Sequence, residues 1–279
     1  AAPAPPPRLL VEASTTHPVQ GGIVVLAVAS DRPLAALAAR LGGTVVPLEA
    51  AGPGDGTRFR GLLGIDLDSP VGRQWVSFEA AAADGGTHVV RYPLRIRSGR
   101  FRVQRLDVDA RFVELPPAIL ERVRQEQAAV AAVWAGGERE RRWAGAFRPP
   151  VGVEPVANFG VRRVFNGQPR SPHNGVDFPA PEGTPVVAPA AGRVALAAEL
   201  YFSGGTVILD HGAGLFTTYF HLSRIAVAAG ELVEPGRLLG AVGATGRATG
   251  PHLHWGARLA GARVNPLELL TLPDWPPPS

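Results

Sequence analysis

The chain has 279 residues, a length that predicts two domains, and its 46% hydrophobic and 19% charged residues are typical of a folded globular protein. All basic side chains are arginine, the net charge is +4, and the arginines are dispersed without interleaved aromatic residues, which indicates no nucleic-acid partner. The absence of cysteine excludes disulfides, thiolate zinc sites and cysteine nucleophiles, so His, Asp, Glu and Ser remain to carry any chemistry.

The start of the chain favours an exported protein. It opens with AAPAPPP, has no initiator methionine, and shows no secretory signal with a basic start and an apolar core. We interpret this start as that of a processed export substrate. No apolar run approaches the roughly 20 residues that a membrane helix needs, so we expect no transmembrane segment.

Residues 1–115 are predicted to form an immunoglobulin-like β-sandwich that serves as an accessory domain. Short β-rich segments alternate with Gly, Pro and Asp at the spacing typical of such sandwiches. The seven segments are LLVEAST, GGIVVLAVAS, GGTVVPLEA, TRFRGLLGI, RQWVSFEAAA, HVVRYPLRI and RFRVQRLDV. Because cysteine is absent, this sandwich would have no disulfide.

Residues 116–150 are predicted to be a helical linker. Prolines at 116 and 117 suit a helix start, and the apolar residues that follow recur at a period near 3.6. This apolar face comprises Ile119, Leu120, Val123, Val130 and Trp134. The pattern predicts one amphipathic helix over 116–134, followed by irregular chain to about 150.

Residues 151–279 are predicted to form a second β domain, which makes the whole chain all-β apart from the linking helix. Apolar alternation, frequent Gly and Pro, and the lack of a long helical window support this assignment. The phrases GTPVVAPAAGRV and GELVEPGRLLGAVG nearly repeat one another, which indicates two related halves of a sandwich-like barrel.

Five of the seven histidines lie in this second domain, which marks it as the expected seat of chemistry. Side chains at i and i+2 of a strand point to the same face, so HLH places His252 and His254 side by side. The same alternation in TYFHLS predicts that Tyr219 and His221 share one face of the strand, while Phe220 and Leu222 share the other.

The stretch SPHNGVDFPAPEG adds a third group of polar residues. His173 and Asp177 lie four residues apart, and a straight strand would separate their Cα atoms by roughly 13 Å, too far for two ligands of one metal ion. The surrounding prolines disfavour a helix, so we expect a bend at Asn174–Gly175 to bring the two side chains together. With the histidine pair, these residues predict a His, Asp, His metal site.

The motifs HNGVD, YFHL and GPHLHW occur in this order, with GTPVVAPAAGRV after the first and GATGRATG before the last. Together they resemble the lysostaphin-type (LytM-like) zinc endopeptidases, a family that cleaves peptidoglycan peptides. The resemblance covers about 158–270 and implies a duplicated hybrid-motif β-barrel. The order of sandwich, helix and peptidase domain is similar to that of bacterial members with an N-terminal accessory domain, which implies an exported protein of the periplasm or outer surface.

The resemblance assigns roles residue by residue. The implied ligands of one zinc ion are His173, Asp177 and His254, and the implied catalytic pair is His221 and His252. Three protein ligands leave a position open for water, whose pKa zinc lowers toward about 7, so this water is the expected nucleophile. The candidate substrate or oxyanion contacts are Tyr219, Asn166 and Arg162.

We therefore expect an endopeptidase that hydrolyses peptide cross-links of bacterial peptidoglycan. Its expected partners are the stem peptides and other wall hydrolases, and no oligomer is indicated. The alternative is a non-catalytic peptidoglycan-binding or amidase-activating protein of the same fold, which the complete ligand set disfavours. Two points stay open: whether the cut bond is a D-alanine–diamino acid link or a glycine-rich bridge, and whether the N-terminal domain or the helix covers the cleft.

Two further function classes are disfavoured by the residues themselves. No G-x-S-x-G motif occurs, so a serine hydrolase has no support. The glycine-rich strands at 183–243 are similar to lipoyl or biotinyl carrier barrels. Attachment of such a carrier group requires a lysine amine, however, and the chain contains no lysine.

Overall fold

The computed structural model describes residues 6–52, 54–82, 85–106 and 116–275. They belong to two compact units, one comprising 1–99 with 259–264 and the other comprising 100–258 with 265–279. The predicted boundary at 115 lies outside the described residues, and the division at 115 and 150 stays a prediction.

The first unit contains one antiparallel sheet of seven strands. The strands are β1 (Leu9–Ala13), β2 (Ile23–Ser30), β3 (Leu34–Leu41), β4 (Thr44–Ala50), β5 (Arg58–Gly64), β6 (Gly72–Ala82) and β7 (Thr87–Ile96). Their order in the sheet is β1-β2-β5-β4-β3-β6-β7. Alternate residues point into an apolar core that includes Leu26, Leu63, Phe78 and Leu94.

The immunoglobulin-like sandwich is not confirmed, because the strands form one continuous sheet and not two. Strand β4 pairs with β5 on one side and with β3 on the other, which links the two halves. Beyond the edge strands, the segment 16–20 donates to and accepts from 95–97: Arg95 N bonds Thr16 O at 2.9 Å and Gln20 N bonds Arg97 O at 3.0 Å. These bonds bring the sheet close to a closed barrel, which removes its open edges.

Strand β3 is absent from the sequence prediction. Its sequence LAALAARL is built from strong helix formers, and helix propensity alone disfavours a strand there. The segment is nevertheless paired with both β4 and β6, and Leu34, Leu37 and Ala39 point into the core. Burial between two neighbouring strands therefore overrides local propensity.

A short segment from late in the chain completes this unit. Strand β20 (Ala262–Val264) places Ala262 and Val264 in buried positions, and a Cβ on Gly64 would lie 3.0 Å from the Ala262 side chain. Arg263 donates to Asp66 from its backbone N, Nε and Nη2, at 2.9, 3.0 and 2.6 Å. Residues separated by almost 200 positions thus form one packed region.

The second unit contains the helix and the remaining strands. These are α1 (Pro117–Ala135), β8 (Val103–Leu106), β9 (Arg162–Phe165), β10 (Gln168–Pro169), β11 (Gly175–Phe178), β12 (Pro185–Val187), β13 (Gly192–Leu200), β14 (Gly204–Asp210), β15 (Leu215–Leu222), β16 (Arg224–Ile225), β17 (Leu232–Val233), β18 (Leu238–Ala241) and β19 (Leu253–Leu259). A 3₁₀ helix spans Pro266–Thr271.

The main sheet of the second unit runs in the order β11-β19-β15-β14-β13-β17, and β12-β18-β16 form a smaller sheet. Every residue of β14 is buried, so the strands around it are held on a rigid base. The predicted helix is present as α1, with Val123 buried and the Trp134 ring 5.1 Å from that of Phe216. Leu120, predicted to lie on the apolar face, is exposed.

No helix among the described residues is long and apolar enough to cross a membrane.

Candidate metal centre

Three potential metal ligands converge where β11 meets β19. The antiparallel register places Asp177 directly opposite His254, and His173 lies two residues before β11 begins. The distance from His173 Nε2 to Asp177 Oδ1 is 3.2 Å, and His254 Nδ1 lies 3.0 Å from the former and 3.1 Å from the latter. Within the described ranges, these residues are the cluster of three His or carboxylate ligands able to hold one ion.

The geometry of this cluster fits a zinc ion. Two atoms bound to tetrahedral zinc at 2.0–2.1 Å lie about 3.3 Å apart, close to the three distances observed. His254 Nε2 is buried without a hydrogen-bond partner, so this ring faces its neighbours through Nδ1. Two imidazole nitrogens and one carboxylate oxygen form a donor set that suits zinc, and a set of three leaves room for a further ligand.

Asn158, which sequence reasoning missed, orients two of the three ligands. Its Nδ2 donates to Asp177 Oδ2 at 2.7 Å, and its Oδ1 accepts from the Asp177 backbone N at 3.2 Å. Its backbone carbonyl lies 3.1 Å from His173 Nδ1 and accepts the proton there, which leaves His173 Nε2 as an acceptor for metal. No local pattern around Asn158 identifies this role, because the contacts form only when distant chain segments meet.

Gly175 permits the close approach of β11 to β19. A Cβ there would lie 2.4 Å from Trp255 O and 2.6 Å from His254 Nε2, distances that no side chain tolerates. The predicted bend at Asn174–Gly175 does not require a left-handed conformation of Gly175, whose φ is not positive. Its small size, and not its conformational freedom, matters at this position.

A β-bulge in β15 directs two consecutive side chains toward the cluster. Gly205 pairs with Leu222 and Val207 with Tyr219, so Phe220 and His221 together face one residue of β14. His221 has φ of +64°, a left-handed conformation that costs a non-glycine residue about 1–2 kcal/mol. The Phe220 ring stacks on that of His254 at 5.1 Å, and the His221 ring lies 4.7 Å from that of His252.

The bulge overturns the predicted alternation in TYFHLS. Phe220, expected on the opposite face, contacts the cluster together with His221. Tyr219, a candidate substrate or oxyanion contact, is completely buried, and its hydroxyl is 2.7 Å from Thr217 Oγ1. Tyr219 is therefore enclosed in the core of the second unit, and its role as a substrate contact stays a prediction.

His221 and His252 both present Nε2 at the centre. Thr245 O accepts from Nδ1 of His221 at 2.8 Å, and Gly250 O accepts from Nδ1 of His252 at 2.8 Å. These bonds select the tautomer in which Nε2 of each ring is an acceptor. His252 Nε2 lies 3.8 Å from Asp177 Oδ1, next to the metal ligands.

Burial favours the neutral form of two histidines, and the surroundings of Asp177 favour its ionised form. Burial lowers the pKa of His254 to about 4, and it also lowers the pKa of His221, an effect that the bond to Thr245 opposes. Burial by itself raises the pKa of Asp177, but the adjacent His173 and His254 imidazoles outweigh it and hold that pKa well below its usual range. Neutral imidazoles and a carboxylate are the protonation states that bind metal and accept protons.

The other two candidate contacts have different surroundings. Asn166 has φ of +49° and precedes Gly167 in the turn between β9 and β10, so it is primarily a turn residue. The Arg162 guanidinium lies 5.6 Å from the centre of the Phe101 ring. Next to it, Arg163 lines a cavity of about 310 Å³ together with Asn158.

Comparison with known proteins gives a family match over the part of the chain that carries these residues. Residues 171–266 match the family model described as "Peptidase family M23". The crystal structure of a protein assigned to the M23 peptidases from Pseudomonas aeruginosa is 33% identical, with a TM-score of 0.70, and the alignment covers 91% of this chain and 95% of that one.

Two curated relatives match the same region. "Peptidoglycan DD-endopeptidase ShyA" of Vibrio cholerae is 41% identical over 113 residues, which are 40% of this chain and 26% of that protein. "DD-carboxypeptidase/endopeptidase Mpg" of Neisseria meningitidis is 44% identical over 97 residues, 35% of this chain and 22% of that protein. The matched region thus spans about a quarter of each curated relative.

Proposed function

The chain belongs to peptidase family M23, and from this premise we propose that it is a zinc-dependent endopeptidase that hydrolyses peptide cross-links of bacterial peptidoglycan. The observation that carries the proposal is the cluster of His173, Asp177 and His254, whose ligand atoms lie 3.0–3.2 Å apart. The names of the curated relatives support peptidoglycan as substrate and favour a bond between D-amino acids over a glycine bridge.

Zinc bound to this cluster would polarise the scissile carbonyl and increase the acidity of a water molecule. Two histidines of the chain would accept and donate the protons of the reaction. His221 and His252 present Nε2 as an acceptor. The Nδ1–H of each ring donates to a backbone carbonyl, which fixes the orientation of the ring. Each ring can take a proton during attack and return it to the leaving amine, as general base and then general acid.

Phe220 and Asn158 would keep the ligands in place during these transfers. The Phe220 ring lies nearly parallel to that of His254, with an interplanar angle of 5°, and so restricts rotation of this ligand. The bonds from Asn158 to Asp177 leave Oδ1 directed at the cluster. We assign Asn158 a positioning role, because it contacts ligands and not reacting atoms.

A protein with this activity would work in the cell envelope, where peptidoglycan lies. The peptidoglycan activity named for the curated relatives supports this location. The alternative, a peptidoglycan-binding or amidase-activating protein, has the disadvantage that it would need neither the ligand cluster nor the two oriented histidines.

The proposal is tested by incubating the purified protein with sacculi, with zinc or after removal of metal by a chelator. Mass spectrometry of the soluble products should show cross-linked dimers converted to monomers by the zinc-loaded protein alone. Cleavage that continues at the same rate after metal removal would contradict the proposal. Binding to sacculi without any cleavage, whether zinc is present or absent, would favour the non-catalytic alternative.

A further inference from the structure

Two arginines face one another across the hairpin that precedes the metal ligands. In the β9–β10 ladder, Phe165 pairs with Gln168 and Val164 with Pro169. The next pair is Arg163 with Arg170, whose backbone N donates to Arg163 O at 2.8 Å. Directly opposed residues project from the same face of a hairpin, and two like charges in this position repel one another.

A third arginine lies close to this pair. The backbone N of Arg247 bonds Phe202 O at 2.8 Å, and its guanidinium sits over the Phe202 ring at 4.4 Å. Partial burial lowers the pKa of Arg247, and the positive charges of Arg163 and Arg170 lower it further. Three guanidinium groups from two separate chain segments therefore lie close enough to interact electrostatically.

Among the residues that the structure describes, no carboxylate forms an ion pair with any of these three side chains. The side chain of Arg170 donates from Nη2 to the neutral Gln168 Oε1 at 3.1 Å, and its Nε is buried without an acceptor. Other arginines of this unit do have acidic partners, such as Arg193 with Glu138 at 2.7 Å. Uncompensated positive charge and an unsatisfied buried donor are unfavourable unless a ligand supplies the acceptors.

The three arginines flank the candidate metal centre. Arg163 lines the same cavity as Asn158, which bonds to Asp177. Arg247 follows two residues after Thr245, whose carbonyl accepts the proton of His221 Nδ1. Arg163 is therefore linked to the metal ligands through Asn158, and Arg247 is linked to His221 through the segment that contains Thr245.

We propose that Arg163, Arg170 and Arg247 form a subsite that binds free carboxylates of the substrate peptide beside the scissile bond. The planar guanidinium matches a carboxylate in two parallel hydrogen bonds, and three of them can bind two carboxylates. The substrate class is then a cross-linked peptide that carries acidic groups outside its amide bonds. This inference rests on the proposed function only in its statement of which bond is cut. Binding of the acidic groups by the arginines does not depend on cleavage.

The test compares two synthetic cross-linked muropeptides, one with free carboxylates and one in which these groups are carboxamides. Wild-type protein should cleave the carboxylate form with a kcat/KM at least about tenfold higher, because the amide form leaves the guanidinium groups unpaired. In the Arg163→Gln/Arg170→Gln protein and in Arg247→Gln, this preference should disappear through a higher KM, with kcat and zinc content unchanged.

Arg148→Gln is the matched control, since Arg148 is an exposed arginine of the same unit, outside the hairpin. It should keep the wild-type preference. Thermal unfolding separates recognition from a structural role: removal of opposed charges should leave the melting temperature equal or higher, whereas a structural role would lower it.

Each outcome decides between the two proposals. A double variant that keeps the full preference for the carboxylate form overturns the subsite. If wild-type protein cleaves neither peptide but binds the carboxylate form, and binding requires the arginines, the subsite stands and the proposed function fails. If it neither binds nor distinguishes the two peptides, the subsite is also overturned.

Discussion

At the scale of a single residue, the proposed mechanism gives His252 a part in proton transfer and none in metal binding. Its Nε2 points toward Asp177 from 3.8 Å, while its Nδ1 is bonded to Gly250 O. We expect His252→Ala to keep one equivalent of zinc and to lose activity about a hundred- to ten-thousand-fold, the usual contribution of a general base. Metal analysis and muropeptide cleavage measured on the same sample check this, with the exposed His17→Ala as control. Full activity of His252→Ala would remove it from the mechanism.

Asn158 contributes to metal affinity without being a ligand. Loss of its two side-chain bonds would free Asp177 to rotate, while the backbone carbonyl would still accept from His173 Nδ1. We expect Asn158→Ala to weaken zinc binding about 10- to 100-fold, as for other residues that orient metal ligands. Competition with a chromogenic chelator measures this affinity independently of catalysis. Asn158→Asp retains the size and the acceptor but loses the donor, so it should also bind zinc more weakly. An unchanged affinity in both variants would contradict the positioning role.

His211 should make the stability of the second unit depend on pH. Its Nδ1 donates to Ala191 O at 2.7 Å and its Nε2 accepts from Thr217 Oγ1 at 2.8 Å, an arrangement that requires the neutral ring. Burial lowers the pKa of His211 from 6.5 to about 4. Between pH 6.5 and 4 the unfolded chain therefore binds a proton at His211 that the folded protein does not bind. The contribution of His211 to the free energy of unfolding is present above pH 6.5 and is lost as the pH falls toward 4.

A difference of this size in pKa corresponds to roughly 3 kcal/mol over that range. Urea unfolding at pH 7.5 and at pH 4.5 measures it. The same experiment on His211→Gln removes this contribution, so the variant should lose less stability on acidification than the wild type. His17→Gln should behave as the wild type. Equal pH dependence in all three proteins would show that His211 does not control acid stability.

At the level of elements, the approach of β11 to β19 depends on Gly175. A methyl group there would overlap Trp255 O and His254 Nε2. We expect Gly175→Ala to destabilise the protein by about 1–3 kcal/mol, as overpacking usually does, and to reduce zinc affinity by separating Asp177 from His254. Gly152→Ala is the control, because a Cβ there meets nothing within 4 Å. Thermal unfolding and zinc titration of both variants would show whether the strands tolerate the methyl group.

An element can be predicted from sequence when the pattern that determines it lies within its own residues, and not when it depends on pairing with distant strands. Strands with alternating apolar residues, such as β6 and β7, follow from period two, and α1 follows from its proline start and its period of 3.6. Strand β3 does not, because its alanines and leucines favour a helix and the pairing that fixes it comes from distant strands. The immunoglobulin-like sandwich is not confirmed for the same reason, since the spacing of strands does not show which strands pair.

The candidate site divides in the same way. Motif residues such as His173, Asp177 and His254 can be identified because three motifs occur together in one chain. Phe220 cannot, because a strand pattern does not show the extra residue of the bulge that turns Phe220 toward His254. Asn158 cannot either, since its role depends on three-dimensional proximity to Asp177 and on no pattern around it.

For the whole molecule, an ion pair within the first unit connects residues that lie 197 positions apart in the chain. Arg263 and Asp66 are joined by three hydrogen bonds, and both side chains are largely shielded from solvent. We expect Arg263→Gln to lower the free energy of unfolding by about 1–3 kcal/mol, as loss of hydrogen bonds between charged groups does. Arg32→Gln, which removes the more exposed pair with Asp31, should cost less than about 1 kcal/mol. Equal effects in urea unfolding would show that the long-range pair adds nothing.

The position of residues 259–264 also has a consequence for synthesis. The first unit cannot acquire its last strand, β20, until about 165 further residues have left the ribosome after residue 99. At 5–20 residues per second this interval is roughly 8–30 s, during which the surface around Gly64 lacks the side chains of Ala262 and Val264. The nascent chain therefore exposes an incomplete apolar surface throughout translation of the metal-binding region, and a chaperone that binds early intermediates would act in this interval.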